Sequence, residues 1–312
     1  MKKFLKSLIL SKHNIIGAPT GFSCRQKNYI DVFNILSEIV ETKGFKYIDT
    51  PMFDFFEVYE KILGTPSTKE LFVVKDENNE FLVPRYDITT QIVRFLAPRI
   101  NNLELPIKLY YFGDIFRSSE SEWHKKQVKQ FGVEIIGSNE EEEIISLLKN
   151  LLEKLNKLKI IEEYKVVFNF ASVIEGLTEE FDEEDKELVL ELIRVKDTTS
   201  IKKFFNGKGN TISKIFEYSL YKSTKEVFKF VSDLIDLNSN TKENFNTLGK
   251  YFGENIIFDP LFVPSMDYYN GVYFVVYASN YTTPIATGGR YDYLTQRFNY
   301  DEKAMGFAIE VF

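Results

Sequence analysis

Several short segments rich in aromatic and β-branched residues lie close together in this chain of 312 residues, and they narrow its possible folds more than any other feature. Such segments are typical of β-strands. Most of their connections are too short for the helix that links parallel strands, so the sequence predicts a largely antiparallel sheet. The predicted strands are Leu71 to Lys75, Glu80 to Pro84, Lys108 to Phe112, Phe131 to Ile136 and Lys165 to Phe170.

A helix is predicted ahead of these strands. Apolar residues recur at helical spacing from Arg25 to Lys43, and Gly44 lies where a C-terminal cap belongs. The residues Phe45 to Thr50 then alternate with the period of a strand, and a second amphipathic helix is predicted through Tyr59 and Ile62. Helices combined with antiparallel strands indicate an α+β fold.

The second half of the chain contains a long helical stretch. Ser138 or Asn139 is predicted to cap a helix with an acidic first turn. From about Thr178 to Ile256, Lys, Glu, Asn and Phe dominate with helical periodicity, which indicates a helical insertion. Strand character returns in Gly271 to Tyr277 and in Gly306 to Phe312. We therefore expect a first part of the core at 1–175, the insertion at 176–257 and a second part of the core at 258–312.

Composition argues against several classes of function. The formal net charge is −7, so binding to nucleic acid would need a local basic patch. Cys24 is the only cysteine, and His13 and His124 are the only histidines. These are too few for a disulfide framework, a clustered zinc site or a Cys/His nucleophilic pair, so neither a metal nor a cofactor is predicted.

The N-terminal segment Met1 to Leu10 is basic and apolar, but Lys6 interrupts it and no small-residue cleavage site follows. The sequence contains no apolar run of transmembrane length. We therefore expect a cytoplasmic protein without a membrane partner.

The segment Arg85 to Thr89 is the first that suggests a binding site. Asp87 follows a predicted strand and lies beside the hydroxyl of Thr89. A carboxylate in that position can bind an ammonium group through charge-assisted hydrogen bonds. Asp87 or Thr89 can also cap the helix that follows, and the two roles are not exclusive.

Two predicted strands carry the second group. Gln130, Gly132 and Glu134 share one face at period two, and an amide and a carboxylate across a glycine can bind a small polar ligand lying on the sheet. Alternatively, this is an edge strand with a solvated face. Arg117, at the end of the strand before, can meet a phosphate or carboxylate, or can form a surface ion pair.

The third and fourth groups lie near the C-terminus. In Met266 to Gly271, the adjacent Tyr268 and Tyr269 are expected to point to opposite faces, one lining a pocket and the other packing. In Thr287 to Asp292, paired glycines allow close backbone approach to a ligand, or simply form a turn.

Taken in order, these segments resemble the catalytic domain of histidyl-tRNA synthetase. Gly44 to Pro51 resembles motif 1 of the class II synthetases, Tyr110 to Glu134 resembles motif 2, and Gly288 to Phe312 resembles motif 3. Met266 to Gly271 resembles the histidine-specific motif Arg-Gly-Leu-Asp-Tyr-Tyr-Thr-Gly. The resemblance implies a class II aminoacyl-tRNA synthetase-like antiparallel sheet flanked by helices.

The resemblance also implies a histidine site with no catalytic residues. Arg117 matches the arginine of motif 2. The other implied contacts are Asp87 and Thr89 with the α-ammonium group, Gln130 and Glu134 with the bound amino acid, and Tyr268 or Tyr269 with the imidazole.

Three departures from the family pattern affect the activation of the amino acid, that is, adenylate formation. Pro264 stands where the histidine motif has an arginine, and Glu310 stands where motif 3 has a glycine. The loop after Arg117 has Lys125 and Lys126 instead of a further arginine. Because negative charge builds up at the α-phosphate during activation, these changes disfavour adenylate formation. We expect no anticodon-binding domain after motif 3 and no tRNA partner.

A synthetase-like chain with this combination resembles the regulatory subunit of ATP phosphoribosyltransferase. The resemblance implies a homodimer, formed through motif 1, within a hetero-oligomer that contains the short-form catalytic subunit. It also implies histidine as ligand and as feedback inhibitor of histidine biosynthesis. Two alternatives stay open, namely a minimal histidine-activating ligase and a histidine-binding module that acts on another partner.

Overall fold

The computed structural model describes residues 29–68, 71–118, 126–205, 208–264 and 266–311. These residues form two compact units. The first contains the described residues as far as Pro98, then Leu109–Val133 and the chain from Ile309 onward, and the second contains Arg99–Lys108 and Glu134–Ala308. Predictions on Met1 to Leu10, His13, Cys24, Arg25, His124, Lys125 and Phe312 lie outside the described residues.

The first unit begins with a helix and continues with short strands. Its elements are α1 (Tyr29–Glu41), β1 (Lys46–Tyr47), β2 (Phe53–Phe55), α2 (Phe56–Thr68), β3 (Val74–Lys75), β4 (Phe81–Pro84), α3 (Ile88–Leu96), β5 (Ile107–Phe116) and β6 (Gln127–Ile136), the last two of which cross the boundary between the units.

Helix α1 ends as its sequence predicts. Val32, Leu36 and Val40 form its buried stripe. Gly44 has a φ of +83°, in the left-handed region that favours glycine, and its N–H donates to the carbonyl of Glu41 at 3.0 Å. The predicted C-terminal cap is therefore confirmed.

Strand β1 is shorter than predicted, because only Lys46 and Tyr47 find partners in β5, with which they pair in parallel. The strands of this unit follow the order β1-β5-β6, and a separate small sheet has the order β2-β4-β3. In the small sheet, Phe53 and Phe55 of β2 face the same side as Val74 of β3. These three side chains are 49%, 49% and 40% exposed, so this side of the small sheet is an apolar surface.

The second unit contains a long run of helices between strands. Its elements are α4 (Glu141–Lys157), β7 (Tyr164–Phe170), α5 (Ala171–Thr178), α6 (Glu183–Arg194), α7 (Thr198–Phe204), α8 (Asn210–Ser219), α9 (Thr224–Leu234), α10 (Ser239–Phe252), β8 (Ile256–Phe258), β9 (Val272–Ala278), β10 (Ala286–Arg290), α11 (Asp292–Arg297) and β11 (Ala304–Glu310), the last of which crosses into the first unit.

The strands of the second unit follow the order β11-β10-β9-β7-β8. β9 is antiparallel to both β7 and β10, as predicted for a largely antiparallel sheet. β7 and β8 are parallel instead. The helices α5 to α10 lie between them in the chain and supply the long crossover that parallel strands need.

Phenylalanines join the helical stretch to the strands of this unit. Phe168 and Phe170 of β7 and Phe258 of β8 lie against Phe228 of α9 and Phe245 of α10, and the last two rings stack at 3.7 Å. The stretch from Thr178 to Ile256 is helical as predicted, and it lies within the second unit. The boundaries of an inserted domain stay a prediction. No described helix is both long enough and apolar enough to span a bilayer.

The predicted cap of α4 is wrong, and so is the alternative of a turn at the paired glycines. Glu140 is the N-cap of α4 and makes no side-chain capping bond. The hydroxyl of Ser138 accepts from the N–H of Glu140, and the amide oxygen of Asn139 accepts from Arg290. Thr287 to Arg290 forms most of strand β10 instead of a turn, because its backbone pairs with β9.

Candidate functional site

Asp87, in the first unit, caps helix α3. Its carboxylate accepts from the N–H of Thr90 at 3.0 Å and from the hydroxyl of Thr90 at 2.6 Å. The capping alternative is therefore confirmed. Thr89 lies in the first turn of α3, and both Asp87 and Thr89 are buried.

Arg117 lies beside the same segment. Its guanidinium carbon is 4.8 Å from the centroid of the Tyr86 ring, and its Nε donates to the Tyr86 carbonyl at 3.3 Å. The structure thus places Arg117 against the residue next to Asp87. The stacking fixes the direction of the guanidinium through a cation–π contact.

Gln130 is buried in β6, and every residue from 130 to 136 is buried. The alternative of an edge strand with a solvated face is therefore wrong. A Cβ atom placed on Gly132 would lie 2.1 Å from the Tyr111 ring. Tyr111 occupies the space above Gly132, where the sequence suggested that a ligand could lie.

Glu134 belongs to the second unit and is 1% exposed. Its carboxylate accepts a hydrogen bond from the hydroxyl of Tyr291 at 2.5 Å. The Tyr291 ring lies edge-on to Tyr268 at 6.2 Å, and Tyr268 lies 5.1 Å from Tyr269. The structure brings these residues together, and we call Glu134, Tyr268, Tyr269 and Tyr291 the tyrosine cluster.

The prediction that Tyr268 and Tyr269 point to opposite faces is wrong. They lie in a turn before β9, outside any strand, so period-two alternation does not apply and their rings are in contact. A Cβ atom on Gly289 would lie 2.8 Å from the Tyr269 ring. The predicted close approach at the paired glycines therefore exists, but a tyrosine of the chain itself makes it.

A buried ionic network around Arg290 lies next to the tyrosine cluster. The Arg290 guanidinium donates to Asp292 at 2.9 Å, to Glu141 at 2.6 Å and to Asn139 at 2.8 Å. Asn270 joins this network to the turn, since its side chain accepts from the N–H of Asp292 and its own N–H donates to the Arg290 carbonyl. Sequence reasoning missed Tyr291 and Arg290 as site residues, because their partners Glu134 and Glu141 lie 157 and 149 residues away.

The tyrosine cluster has a definite chemical character. Glu134 supplies a buried acceptor, and three tyrosines supply ring faces and hydroxyl groups. This combination suits a small aromatic heterocycle that carries an N–H group. Pro264, at the position of the family arginine, offers only its carbonyl, which accepts from Arg194 at 3.4 Å.

A model of the family described as histidyl-tRNA synthetase matches residues 25–312. The chain belongs to the histidyl-tRNA synthetase family. This confirms the predicted family, and with it the class II synthetase-like fold.

Relatives within the histidyl-tRNA synthetase family carry two different names. A histidine–tRNA ligase of Methanocaldococcus jannaschii is 29% identical, over 89% of this chain and 68% of the relative. An ATP phosphoribosyltransferase regulatory subunit of Clostridium acetobutylicum is 30% identical, over 92% of this chain and 74% of the relative. One chain of an ATP phosphoribosyl transferase (HisG:HisZ) complex from Thermotoga maritima has the same fold, with a TM-score of 0.70 and 19% identity over 92% of this chain and 98% of that one.

Proposed function

We propose that this chain is a non-catalytic regulatory subunit of ATP phosphoribosyltransferase. It is required by the short-form catalytic subunit in the first step of histidine biosynthesis, and it conveys feedback inhibition by histidine. The observation that carries the proposal is the tyrosine cluster, in a chain that has Pro264 where the histidine-specific motif has its arginine. Relatives named as regulatory subunits of that enzyme support it.

The tyrosine cluster provides the ligand chemistry. The imidazole of histidine is a small aromatic ring whose N–H donates to a carboxylate such as Glu134. Tyr291 already donates a hydrogen bond to the Glu134 carboxylate, so this carboxylate is held in place before the ligand binds. The predicted contacts of Asp87 and Thr89 with the α-ammonium group, and of Arg117 and Gln130 with the ligand, stay predictions.

The residues at positions 264 and 310 disfavour the activation of histidine with ATP. Attack of a carboxylate on the α-phosphate develops negative charge, and one preorganised donor at such a position contributes about 3 kcal/mol. Pro264 has no such donor, and the carboxylate of Glu310 would repel a triphosphate at the family's glycine position. We therefore expect binding of histidine without its activation.

The homodimer belongs to the same proposal. The resemblance implies that it forms through the motif 1 segment Gly44 to Pro51, and strand β2 follows this segment in the chain. The exposed side of the small sheet, with Phe53, Phe55 and Val74, supplies an apolar surface of the kind that mediates protein association. A second copy would cover it through a two-fold interface that uses the same patch on both chains. Light scattering tests this, and twice the chain mass of 36.5 kDa is expected.

Reconstitution tests the main proposal. The short-form catalytic subunit is assayed alone, with this chain, and with this chain plus histidine. We expect transferase activity only when this chain is present, and inhibition by histidine with a coupling of about 1 to 3 kcal/mol. Activity that does not depend on this chain would contradict the proposal.

The family relatives named histidine–tRNA ligase favour one alternative, a minimal histidine-activating ligase. Exchange of labelled pyrophosphate into ATP that depends on histidine would establish it, and we expect none. If the chain binds histidine but affects neither reaction, the remaining possibility is a histidine-binding module with another partner.

A further inference from the structure

The segment 259–264 leads directly to the turn that carries Tyr268 and Tyr269, and we call it the tether segment. Asn169 of β7 donates from its amide nitrogen to the carbonyl of Pro260 at 3.0 Å and to that of Phe262 at 3.1 Å. Tyr273 of β9 donates from its hydroxyl to the same Phe262 carbonyl at 2.8 Å. Two strands of the sheet therefore hold one loop.

The two donors form a cross-strand pair. Asn169 lies directly opposite Tyr273 in the register of β7 and β9, and they are 0% and 1% exposed. A buried amide is costly unless it is hydrogen-bonded, and apolar residues such as Val166 and Phe168 fill the neighbouring buried positions of β7. The tether segment satisfies the amide nitrogen of Asn169, whereas the amide oxygen has no hydrogen-bond partner among the described residues.

Tyr273 also contacts the tyrosine cluster. Its ring centroid lies 5.9 Å from that of Tyr269 and 5.4 Å from that of Phe262. Burial raises the pKa of Tyr273 well above its ordinary value, so the hydroxyl stays protonated and remains a donor at neutral pH. Tyr273 therefore holds the tether segment with its hydroxyl and supports Tyr269 with its ring.

The helical stretch also contacts the tether segment, at both of its ends. Lys196, just after α6, forms an ion pair with Asp259, and Arg194 donates to the Pro264 carbonyl at 3.4 Å. Both ends of the segment are thus held from outside, while Asn169 and Tyr273 hold its middle. Without the bonds to its middle, the segment that precedes the turn would be held at its two ends only.

We propose that Asn169 and Tyr273 are positioning residues that set the histidine affinity of the tyrosine cluster by fixing the tether segment. The inference rests on the proposed function, in which histidine binds at this cluster. Neither residue belongs to the set predicted from the sequence.

Calorimetry of histidine binding tests the inference with Tyr273→Phe, which removes one hydroxyl and keeps the ring. We expect the dissociation constant to rise about threefold, which is less than the full contribution of one ordinary hydrogen bond, because this bond also exists in the free chain. The matched control is Tyr277→Phe on the same strand, which is 43% exposed and should bind histidine like the unmodified chain. A second control, Val276→Ala in the core of the same strand, should lower the melting temperature without changing the histidine affinity.

The double variant with Asn169→Ala sharpens the test. Both residues donate to the Phe262 carbonyl, so their effects on histidine affinity should be non-additive. A Tyr273→Phe variant that melts at a lower temperature but binds histidine normally overturns the inference and leaves the proposed function intact. Absence of histidine binding to the unmodified chain overturns the inference together with the histidine part of the proposed function, whereas the reconstituted transferase assay still reports on the rest.

Discussion

The tripeptide Arg-Tyr-Asp occurs twice in this chain, as Arg85-Tyr86-Asp87 in the first unit and as Arg290-Tyr291-Asp292 in the second. In both places a strand ends and a helix begins. The aspartates nevertheless differ in function. Asp87 is the N-cap of α3, whereas Asp292 lies inside the first turn of α11 and accepts from Arg290 and from the N–H of Ala304.

The two arginines are both buried but have opposite environments. Arg85 donates mainly to neutral groups, the carbonyls of Asp114 and Thr50 at 2.7 and 2.8 Å. Arg290 donates to the carboxylates of Glu141 and Asp292. The same local sequence therefore gives the same strand-to-helix transition, while distant partners decide what each side chain does.

The two tyrosines complete the contrast. The guanidinium of Arg117 stacks on the Tyr86 ring, whereas the hydroxyl of Tyr291 donates a hydrogen bond to Glu134. In the first unit the tripeptide supports a helix end. In the second unit it builds the tyrosine cluster.

Removal of each arginine should break the comparison most clearly. Arg290→Ala leaves Glu141 and Asp292 buried without their main cation, so we expect a loss of about 3 to 5 kcal/mol in the free energy of unfolding. Arg85→Ala leaves mainly unpaired carbonyls, and about 1 to 3 kcal/mol is expected. Urea denaturation followed by circular dichroism measures both. Arg290→Lys keeps the positive charge but lacks the several N–H donors of the guanidinium, so its loss in the free energy of unfolding should lie between those of the two alanine variants. Equal losses in the two alanine variants would refute the electrostatic distinction.

Removal of each tyrosine hydroxyl should separate a binding role from a packing role. Tyr291→Phe deprives Glu134 of the donor that orients its carboxylate. We therefore expect histidine affinity to fall by up to about tenfold, which corresponds to about 1.5 kcal/mol for a hydrogen bond to a charged group. Tyr86→Phe keeps the ring on which Arg117 stacks, and it should change the affinity less than twofold. Calorimetry with histidine measures both variants. Similar affinities in the two would mean that Tyr291 plays no part in recognition.

The sequence predicts those features that depend on neighbouring residues. The glycine cap at Gly44, the short strands and the helical stretch after Thr178 follow from spacing over a few residues, and the structure contains all of them, although the strand predicted at Leu71 to Lys75 is limited to Val74–Lys75. Family resemblance, carried by motifs in series, supplies the fold. The strand at Phe45 to Thr50 is overestimated because alternation in the sequence does not reveal where a partner strand ends.

The candidate site is only partly predictable, because its geometry depends on contacts between distant residues. Glu134, Tyr268 and Tyr269 carry recognisable motif positions. Tyr291 gains its role from a carboxylate 157 residues away, and no local pattern reveals that pairing. Asn169 gives no signal either, since an asparagine within a predicted strand looks like an exposed position until burial and partners are known.

Replacement of Asp87 gives the smallest expected effect and the finest test. Asp87→Ala removes the cap of α3 and should cost about 1 kcal/mol of unfolding free energy, whereas Asp87→Ser restores a capping oxygen and most of that stability. Serine has no carboxylate, so if Asp87 also binds the ammonium group of histidine, both variants should bind histidine more weakly. Normal histidine affinity in Asp87→Ser would reduce Asp87 to a helix cap. Asp292 pairs with Arg290 instead of capping a helix, so Asp292→Ser should be no more stable than Asp292→Ala. If serine restored stability equally at both positions, the two aspartates would have the same capping role.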